Sequence, residues 1–151
     1  MGSDAPLNIH ATCVAVAVGE LWHGVLLRGP SGAGKSDLAI RLLDGGARLV
    51  ADDRTELTVE TGRLVARPPA VLAGLVEARG LGILRVPPDK LLPAAPVALI
   101  VDLVPSAEID RLPERQSETL LDISLPRIRL TAFDASTSAK IRLAVSAVRA
   151  T

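Results

Sequence analysis

The sequence predicts an α/β domain in which a mixed sheet carries flanking helices. Apolar runs of strand length, bounded by Gly and Pro, follow one another along most of the chain. Two further runs repeat their apolar residues at helical spacing. With 151 residues, 48% of them hydrophobic, the chain is long and apolar enough to bury one core. We therefore expect a single domain over residues 1–151.

The first half of the chain is expected to place strands around one helix. Residues 9–29 predict two apolar strands, and Gly19-Glu20 between them fits a two-residue type II′ turn. Apolar residues recur at helical spacing from Lys35 to Leu43, and Gly45-Gly46 ends this helix. The run 47–51 predicts a short strand that ends at two aspartates.

The second half continues with strands and closes with a helix. Residues 55–69 predict a hairpin about Thr61-Gly62, and residues 70–78 a short helical turn. Strands are expected over 81–86 and 97–104, followed by a polar loop over 105–115 and by further strand signal over 119–133 that Pro126 interrupts. The last element is a helix capped by Ser136, in which Ile141, Val145 and Val148 share a face.

Composition excludes several classes of function. Seventeen basic residues balance seventeen acidic ones, and Trp22 and Phe133 are the only aromatic residues, so a nucleic-acid partner is disfavoured. The lone Cys13 allows no internal disulfide, and we expect it to be a small buried apolar residue. The N-terminus lacks the features of a secretory signal, and no apolar run approaches ~20 residues. We expect a cytoplasmic protein without a membrane partner.

A glycine-rich stretch, Gly29–Ser36, matches the phosphate-loop pattern G-x-x-x-x-G-K-[ST]. Glycines let successive backbone N–H groups point at phosphate oxygens, and the following helix directs its positive end at the same anion. Lys35 adds a cation, and the Ser36 hydroxyl can bind Mg²⁺. A shuffled chain of this composition would contain the pattern only about 0.002 times. The residues expected to hold nucleotide phosphates are Gly29, Pro30, Ser31, Gly32, Ala33, Gly34, Lys35 and Ser36.

Two adjacent carboxylates, Asp52 and Asp53, end the strand that follows the helix. In another context they would form a solvent-exposed turn. Beside a phosphate loop they have a use, because bound ATP–Mg²⁺ needs acidic ligands and phosphoryl transfer needs a base for the acceptor hydroxyl. Adjacent carboxylates also repel each other, which favours a proton on one of them. We therefore expect both aspartates in the site.

Hairpin register distinguishes the two histidines. A turn at Gly19-Glu20 places His10 opposite Gly29 and pairs His23 with Val16, near the closed end of the hairpin. His10 is thus expected either beside the phosphate loop or as a hydrogen-bonded strand histidine. His23 is expected to be structural or exposed.

Three stretches resemble the HPr serine kinase/phosphorylase family. In the first, Gly29–Asp53, the phosphate loop continues through a helix into Leu-Val-Ala-Asp-Asp. The second, Val76–Val86, is similar to the family signature Glu-Ile-Arg-Gly-Leu-Gly-Ile, with Ala78 in place of the first isoleucine. The third and weaker one is Ile109–Pro113. The resemblance implies a single P-loop kinase domain of the HPr kinase/phosphoenolpyruvate carboxykinase type. It also implies a Mg²⁺-dependent kinase that uses ATP to phosphorylate a serine of HPr, a carrier of the sugar phosphotransferase system, and that can run the reverse phosphorolysis.

The same resemblance assigns roles to individual residues. Lys35 would neutralise the transferred group, while Ser36 and Glu77 would bind Mg²⁺. Asp53 would take the serine proton with His10 adjusting its basicity, and Arg111 would complete the catalytic set. Asp52 would belong to the nucleotide site.

The chain also departs from the family in three ways. Longer members carry an amino-terminal domain, and we expect no such regulatory domain here. They also have a longer carboxy-terminal segment, so the hexamer usual in the family becomes only a general expectation of a homo-oligomer. Residues 130–140 lack the family's glycine- and arginine-containing loop for dephosphorylation, so kinase chemistry is the better match. A small-metabolite kinase and a non-enzymatic nucleotide sensor are the alternative functions.

Overall fold

The computed structural model describes residues 5–147, which form eleven strands and two α-helices. The strands are β1 (Leu7–His10), β2 (Thr12–Val18), β3 (Leu21–Arg28), β4 (Arg48–Ala51), β5 (Arg54–Glu60), β6 (Arg63–Arg67), β7 (Leu75–Ala78), β8 (Gly82–Arg85), β9 (Ala95–Leu103), β10 (Gln116–Leu120) and β11 (Ile123–Leu130). The helices are α1 (Lys35–Asp44) and α2 (Thr137–Ser146), and short 3-10 turns cover Ala70–Leu72, Pro88–Lys90 and Ser106–Glu108. The α/β class predicted from the sequence is confirmed.

Strand β9 connects the two parts of a nine-stranded mixed sheet. The order is β1-β5-β6-β9-β3-β2-β4, and β11 pairs with β9 and with β10. The beginning of β9 pairs antiparallel with β6, whereas its later part pairs parallel with both β3 and β11. Because β3, β9 and β11 run parallel, the loops that follow them leave the sheet at the same edge. A separate hairpin, β7–β8, stands apart from this sheet.

The central strands are buried on both faces, which explains their nearly continuous apolar sequences. One cluster contains side chains of β2, β3 and β9 together with Leu38 and Leu42 of α1 and Ile141 of α2, so both helices cover the same face. A second cluster, which includes Cys13 and Leu57, fills the space on the other face under β5 and β6. Cys13 is fully buried as predicted, and burial raises the pKa of its thiol to about 12.

The first predicted strand is interrupted, which corrects the expected position of His10. The β2–β3 register agrees with the prediction, since Val16 pairs with His23, and Gly19 has the positive φ of 62° that the turn requires. However, Ala11 separates β1 from β2, and His10 pairs with Arg54 of β5 instead of lying opposite Gly29. At the break the Thr55 hydroxyl donates to the buried Ala11 carbonyl at 2.8 Å, and the pairing of β1 with β5 holds His10 in its new position.

Three other local expectations are wrong in detail. Only Ala70–Leu72 is helical; the chain then turns at Gly74 (φ 78°) and forms β7, so Glu77 lies on a strand. Strand β11 continues through Pro126. The proline is tolerated because β9 pairs with β11 only from Arg127 onward, so that at Pro126 the strand has a neighbour, β10, on one side only and the missing N–H is not needed on the other. Ser136 precedes α2 but makes no side-chain capping bond.

Two remaining expectations concern residues at the ends of the chain. Ile141 is buried and Val145 is partly buried against the same cluster, as expected, whereas Val148 lies outside the described residues. The expectation of no secretory signal concerns the first residues of the sequence, and residues 1–4 also lie outside the described residues. Across residues 5–147, neither helix has the length and apolar character needed to cross a membrane.

Candidate active site

The phosphate loop requires glycine at particular positions. It connects β3 to α1, and Gly32 and Gly34 have φ values of 85° and 95°, in the left-handed region that favours glycine. A Cβ atom on Gly34 would lie 2.7 Å from the Ala132 Cβ atom, and one on Gly29 would lie 2.9 Å from the Ala33 Cβ atom. The loop is therefore held in a shape that larger residues would distort, with α1 beginning directly after it.

Lys35, the first residue of α1, is folded against the loop. Its side chain is buried, and Nζ donates to the carbonyl oxygens of Gly29 and Pro30 at 2.7 and 3.2 Å. These bonds keep a positive charge beside the backbone that would surround a phosphate. This arrangement gives an anion two sources of attraction, the ammonium group and the start of the helix.

Asp52 is buried and joins three parts of the chain. Its carboxylate accepts hydrogen bonds from the Ser36 hydroxyl at 2.7 Å and from the Thr12 hydroxyl at 3.0 Å. It also accepts a bond from the backbone N–H of Glu77 at 3.0 Å. Asp52 thus fixes the start of α1, strand β2 and strand β7 relative to one another.

Asp53 points its carboxylate in another direction because its backbone turns. Its φ of 66° is unusual for a non-glycine residue, and its N–H donates to the Thr12 hydroxyl at 3.1 Å. The exposed Asp53 carboxylate lies 2.8 Å from His10 Nε2, and an N–H there donates to it. His10 reaches this position because β1 pairs with β5, whose first residue follows Asp53.

A cavity of about 760 Å³ brings the predicted phosphate and carboxylate groups together. The phosphate loop forms one wall, and the hairpin β7–β8 forms another. Polar residues on its surface include Lys35, Ser36, Asp53 and Glu77. The geometry can therefore place a phosphate chain between a cation, a hydroxyl and two carboxylates, with Asp53 next to a histidine.

Two residues considered from the sequence lie outside this group. Arg111 is exposed in the loop after β9, which leaves the sheet at the same edge as the phosphate loop, but it does not line the cavity. His23, on β3, pairs with Val16 of β2 near the closed end of the hairpin, as expected.

Sequence reasoning missed Thr12, which contacts both aspartates. Its side chain is fully buried, donates to Asp52 and accepts from the Asp53 N–H. A hydroxyl residue at the start of a long apolar run was the available signal, because a buried hydroxyl needs a hydrogen-bond partner. That signal identifies a need for partners without identifying the partners.

Comparison with known proteins identifies the family. Residues 5–150 match the family model described as the HPr serine kinase C-terminal domain. The chain is 39% identical over 116 residues to the HPr kinase/phosphorylase of Geobacillus thermodenitrificans, an alignment that covers 71% of this chain and 38% of the relative. It is 37% identical over 114 residues to the HPr kinase/phosphorylase of Limosilactobacillus reuteri, covering 70% and 36%. The chain thus aligns with little more than a third of each relative's length.

The fold also agrees with a solved structure. The HPr(Ser) kinase/phosphatase from Coxiella burnetii superimposes with a TM-score of 0.78 at 27% identity, and the match covers 90% of this chain and 86% of that one. The family model, the relatives and the shared fold lead to one conclusion: the chain belongs to the HPr serine kinase C-terminal domain family.

Proposed function

We propose that this chain is a Mg²⁺-dependent kinase that transfers the γ-phosphoryl group of ATP to a serine of HPr or an HPr-like carrier of the phosphotransferase system. One observation carries the proposal: Asp53 lies in the wall of the cavity that the phosphate loop forms, and His10 is 2.8 Å from its carboxylate. A carboxylate in that place can accept the proton of a hydroxyl that attacks a bound phosphate.

The proposed transfer balances with the groups present. The serine oxygen of the carrier forms a bond to the γ-phosphorus, the bond from that phosphorus to the β–γ bridging oxygen of ATP breaks and releases ADP, and Asp53 takes the serine proton. Lys35 moves from the loop carbonyls to the phosphate oxygens and offsets their charge. His10 keeps the Asp53 carboxylate oriented through their hydrogen bond. Arg111 remains the proposed fourth catalytic residue.

The oxygen groups near the loop fit Mg²⁺ bound together with a nucleotide. Ser36 provides a hydroxyl, and Asp52 and Glu77 provide carboxylates, which are the ligand types that Mg²⁺ takes. Within residues 5–147, no three His, Cys, Asp or Glu side chains are grouped to hold a metal. Mg²⁺ with one or two carboxylates, waters and phosphate oxygens is the common arrangement in kinases, where it offsets charge on the transferred group.

The names of the relatives support HPr as the acceptor. Both curated relatives are called HPr kinase/phosphorylase, and the structural relative is called a kinase/phosphatase. Because the chain aligns with little more than a third of the two curated relatives, the substrate, a cytoplasmic location and assembly into a homo-oligomer all belong to the proposal. We include the reverse phosphorolysis as a secondary activity.

Carrier phosphorylation tests the function directly. The chain is incubated with ATP, Mg²⁺ and a purified HPr-type carrier, and phosphoserine on the carrier is measured by mass; inorganic phosphate is then added to measure its removal. Asp53→Asn should lower the rate of phosphorylation about 10²- to 10⁴-fold, the usual contribution of a general base, while nucleotide still binds. Asn tolerates the left-handed backbone of residue 53, so the fold should be preserved.

Asp122→Asn is the matched control. Asp122 has the same φ of 66° but lies exposed in the turn between β10 and β11. This variant should phosphorylate the carrier at the wild-type rate.

Two outcomes with the wild-type chain would favour the alternative functions. A carrier left unmodified although nucleotide is bound would support a nucleotide sensor, and phosphate found on a small metabolite would support the metabolite kinase. Full activity in Asp53→Asn would contradict the proposed base.

A further inference from the structure

Phe133 is an exposed aromatic side chain on the surface of the same cavity. The side chain belongs to one of only two aromatic residues in the chain, and 68% of the residue is exposed. The other aromatic residue, Trp22, packs under the Arg48 guanidinium at 4.7 Å from the ring centroid, on β3. Phe133 thus leaves most of a large apolar surface in water, which is unfavourable unless something covers it.

The loop that carries Phe133 is anchored on both sides of it. Arg41 of α1 donates to the Ala132 carbonyl and, at 3.3 Å, to the Asp134 carbonyl. The Thr137 hydroxyl at the start of α2 donates to the Thr131 carbonyl at 2.5 Å. The backbone around Phe133 is therefore tied to the helix that begins at the phosphate loop, and its position is defined before any ligand arrives.

The tip of the Phe133 ring lies against the phosphate loop. A Cβ atom on Gly34 would be 2.8 Å from Phe133 Cζ, so the ring occupies the space immediately beside the Gly34 backbone. This proximity follows from the topology, because β3 and β11 both run parallel to β9 and their final loops meet at one edge of the sheet. Gly34 and Phe133 both line the cavity.

A nucleotide has a polyphosphate part and a flat base, and the site described so far accounts only for the first. Lys35, Ser36, Asp53 and Glu77 are all polar and suit the phosphates and Mg²⁺. A base instead requires an apolar face, and aromatic rings supply the best stacking surfaces.

We propose that Phe133 is the stacking surface for the purine base of the nucleotide donor. The inference rests on the proposed ATP-dependent function and deepens it, because it assigns to one side chain the preference for a nucleoside triphosphate over inorganic triphosphate. Leu81 and Leu84 of the β7–β8 hairpin line the same cavity and add apolar surface for the base. Lys35, Ser36 and the loop backbone bind the phosphates of either donor.

Binding measurements with two ligands separate the base from the phosphates. Calorimetry, without carrier, measures the affinity of the wild-type chain and its variants for ATP–Mg²⁺ and for inorganic tripolyphosphate–Mg²⁺. Phe133→Ala should weaken ATP binding about 10-fold or more, as removal of a stacking aromatic does elsewhere. It should leave tripolyphosphate affinity unchanged. Phe133→Trp should retain ATP affinity, whereas Phe133→Leu, which keeps the apolar contact with Gly34, should not.

Leu143→Ala is the control for loss of an exposed apolar side chain. Leu143 is 63% exposed on α2 and does not line the cavity, so both affinities should stay at the wild-type values. Unchanged ATP affinity in Phe133→Ala, or an equal loss for both ligands, overturns the inference and leaves the kinase proposal intact. Normal ATP affinity with a raised KM for the carrier would assign Phe133 to carrier docking and also overturn it. Failure of the wild-type chain to bind either ligand overturns the proposed function itself.

Discussion

A single hydroxyl group, that of Thr12, bonds to both aspartates of the proposed active site. It donates to Asp52 and accepts from the N–H of Asp53, so it fixes the side chain of one and the backbone of the other. The left-handed backbone of Asp53 is disfavoured for an ordinary residue and persists only where its surroundings impose it. Thr12 is therefore a positioning residue, because it acts on the phosphoryl group only through the aspartates.

Replacement of that hydroxyl tests its role. Thr12→Val preserves the side-chain shape, leaves the Asp53 N–H without its partner, and should lower the free energy of unfolding by about 1–3 kcal/mol. It should also lower kcat for carrier phosphorylation at least about 10-fold with little change in KM for ATP, because the phosphate loop stays intact. Urea denaturation and steady-state kinetics measure the two effects.

Two further variants separate positioning from stability. Thr12→Ser keeps the hydroxyl and should restore kcat. Thr55→Val removes another fully buried hydroxyl, one that bonds to the Ala11 carbonyl and not to either aspartate. It should destabilise the protein while kcat stays near the wild-type value. Equal losses of kcat in Thr12→Val and Thr55→Val would show that general destabilisation explains both.

At the scale of residues, the sequence predicted which groups are present better than it predicted how they meet. Asp52 and Asp53 follow directly from a strand placed after the phosphate loop and helix. His10 was expected near the loop through a ladder with β3, but it reaches Asp53 through β5. Arg111 and Glu77 depended on resemblance, because a loop arginine or a strand glutamate carries no local signal of what it contacts.

At the scale of elements, the connection from β3 to α1 depends on the absence of a side chain at Gly34. Its φ of 95° and the contacts of a hypothetical Cβ with Ala132 and Phe133 act together, so a substitution would be strained and would also push two neighbouring segments apart. The resulting shift would fall on the backbone N–H groups that surround the phosphates.

Gly34→Ala should therefore weaken binding of ATP and of tripolyphosphate by about 100-fold or more, because both depend on the loop backbone. Gly46→Ala provides the comparison. Gly46 also has a positive φ, 102°, but nothing lies within 4 Å of its Cβ position. Calorimetry should show wild-type affinity in Gly46→Ala, with a stability loss of only about 1 kcal/mol. Equal affinities of the two variants would contradict the importance of the crowded contact.

Elements whose local pattern agrees with their surroundings were predicted well, and the others were not. Helix α1 and the hairpins β2–β3 and β5–β6 have periodicity and turn residues that specify them locally. The residues of β7 match the pattern of a helical turn equally well, because its apolar residues are too few for either period to be distinguished. The break at Ala11 depends on pairing with β5, which is distant in the sequence and leaves no local trace.

At the scale of the whole molecule, a network of charges joins four strands at the side of the sheet that leads into the phosphate loop. Arg28, the last residue of β3, donates to Asp102 of β9 at 2.8 Å and to both carboxylate oxygens of Glu118 of β10 at 2.7 Å. Arg127 of β11 lies 2.9 Å from Asp102. Together with the four residue pairs that join β11 to β9 and the apolar packing of Leu125, this network holds β10–β11 to the sheet.

The network gives the molecule a dependence on acid whose sign follows from Glu118. The hydrogen bond from Arg28 holds the pKa of Glu118 below its ordinary value of 4.5, despite the opposing effect of burial. A carboxyl group with a lowered pKa in the folded state stabilises the fold above its ordinary pKa. That contribution is lost as the pH falls through the folded-state value, when the carboxylate takes up a proton.

Glu118→Gln should lower the free energy of unfolding by about 1–2 kcal/mol near pH 7, because an amide has only one acceptor oxygen: one of the two hydrogen bonds from Arg28 is lost, and the other no longer meets a negative charge. The difference from wild type should begin to shrink as the pH falls below about 4.5, and it should disappear once the pH is below the lowered pKa of Glu118, where the wild-type carboxylate is itself neutralised. Glu60→Gln, which removes the exposed ion pair of Glu60 with Arg67 between β5 and β6, should have a smaller effect, since water and salt screen that pair. Urea denaturation across this pH range measures both variants; a difference for Glu118→Gln that stays constant with pH would mean that the side chain acts through packing and not through its charge.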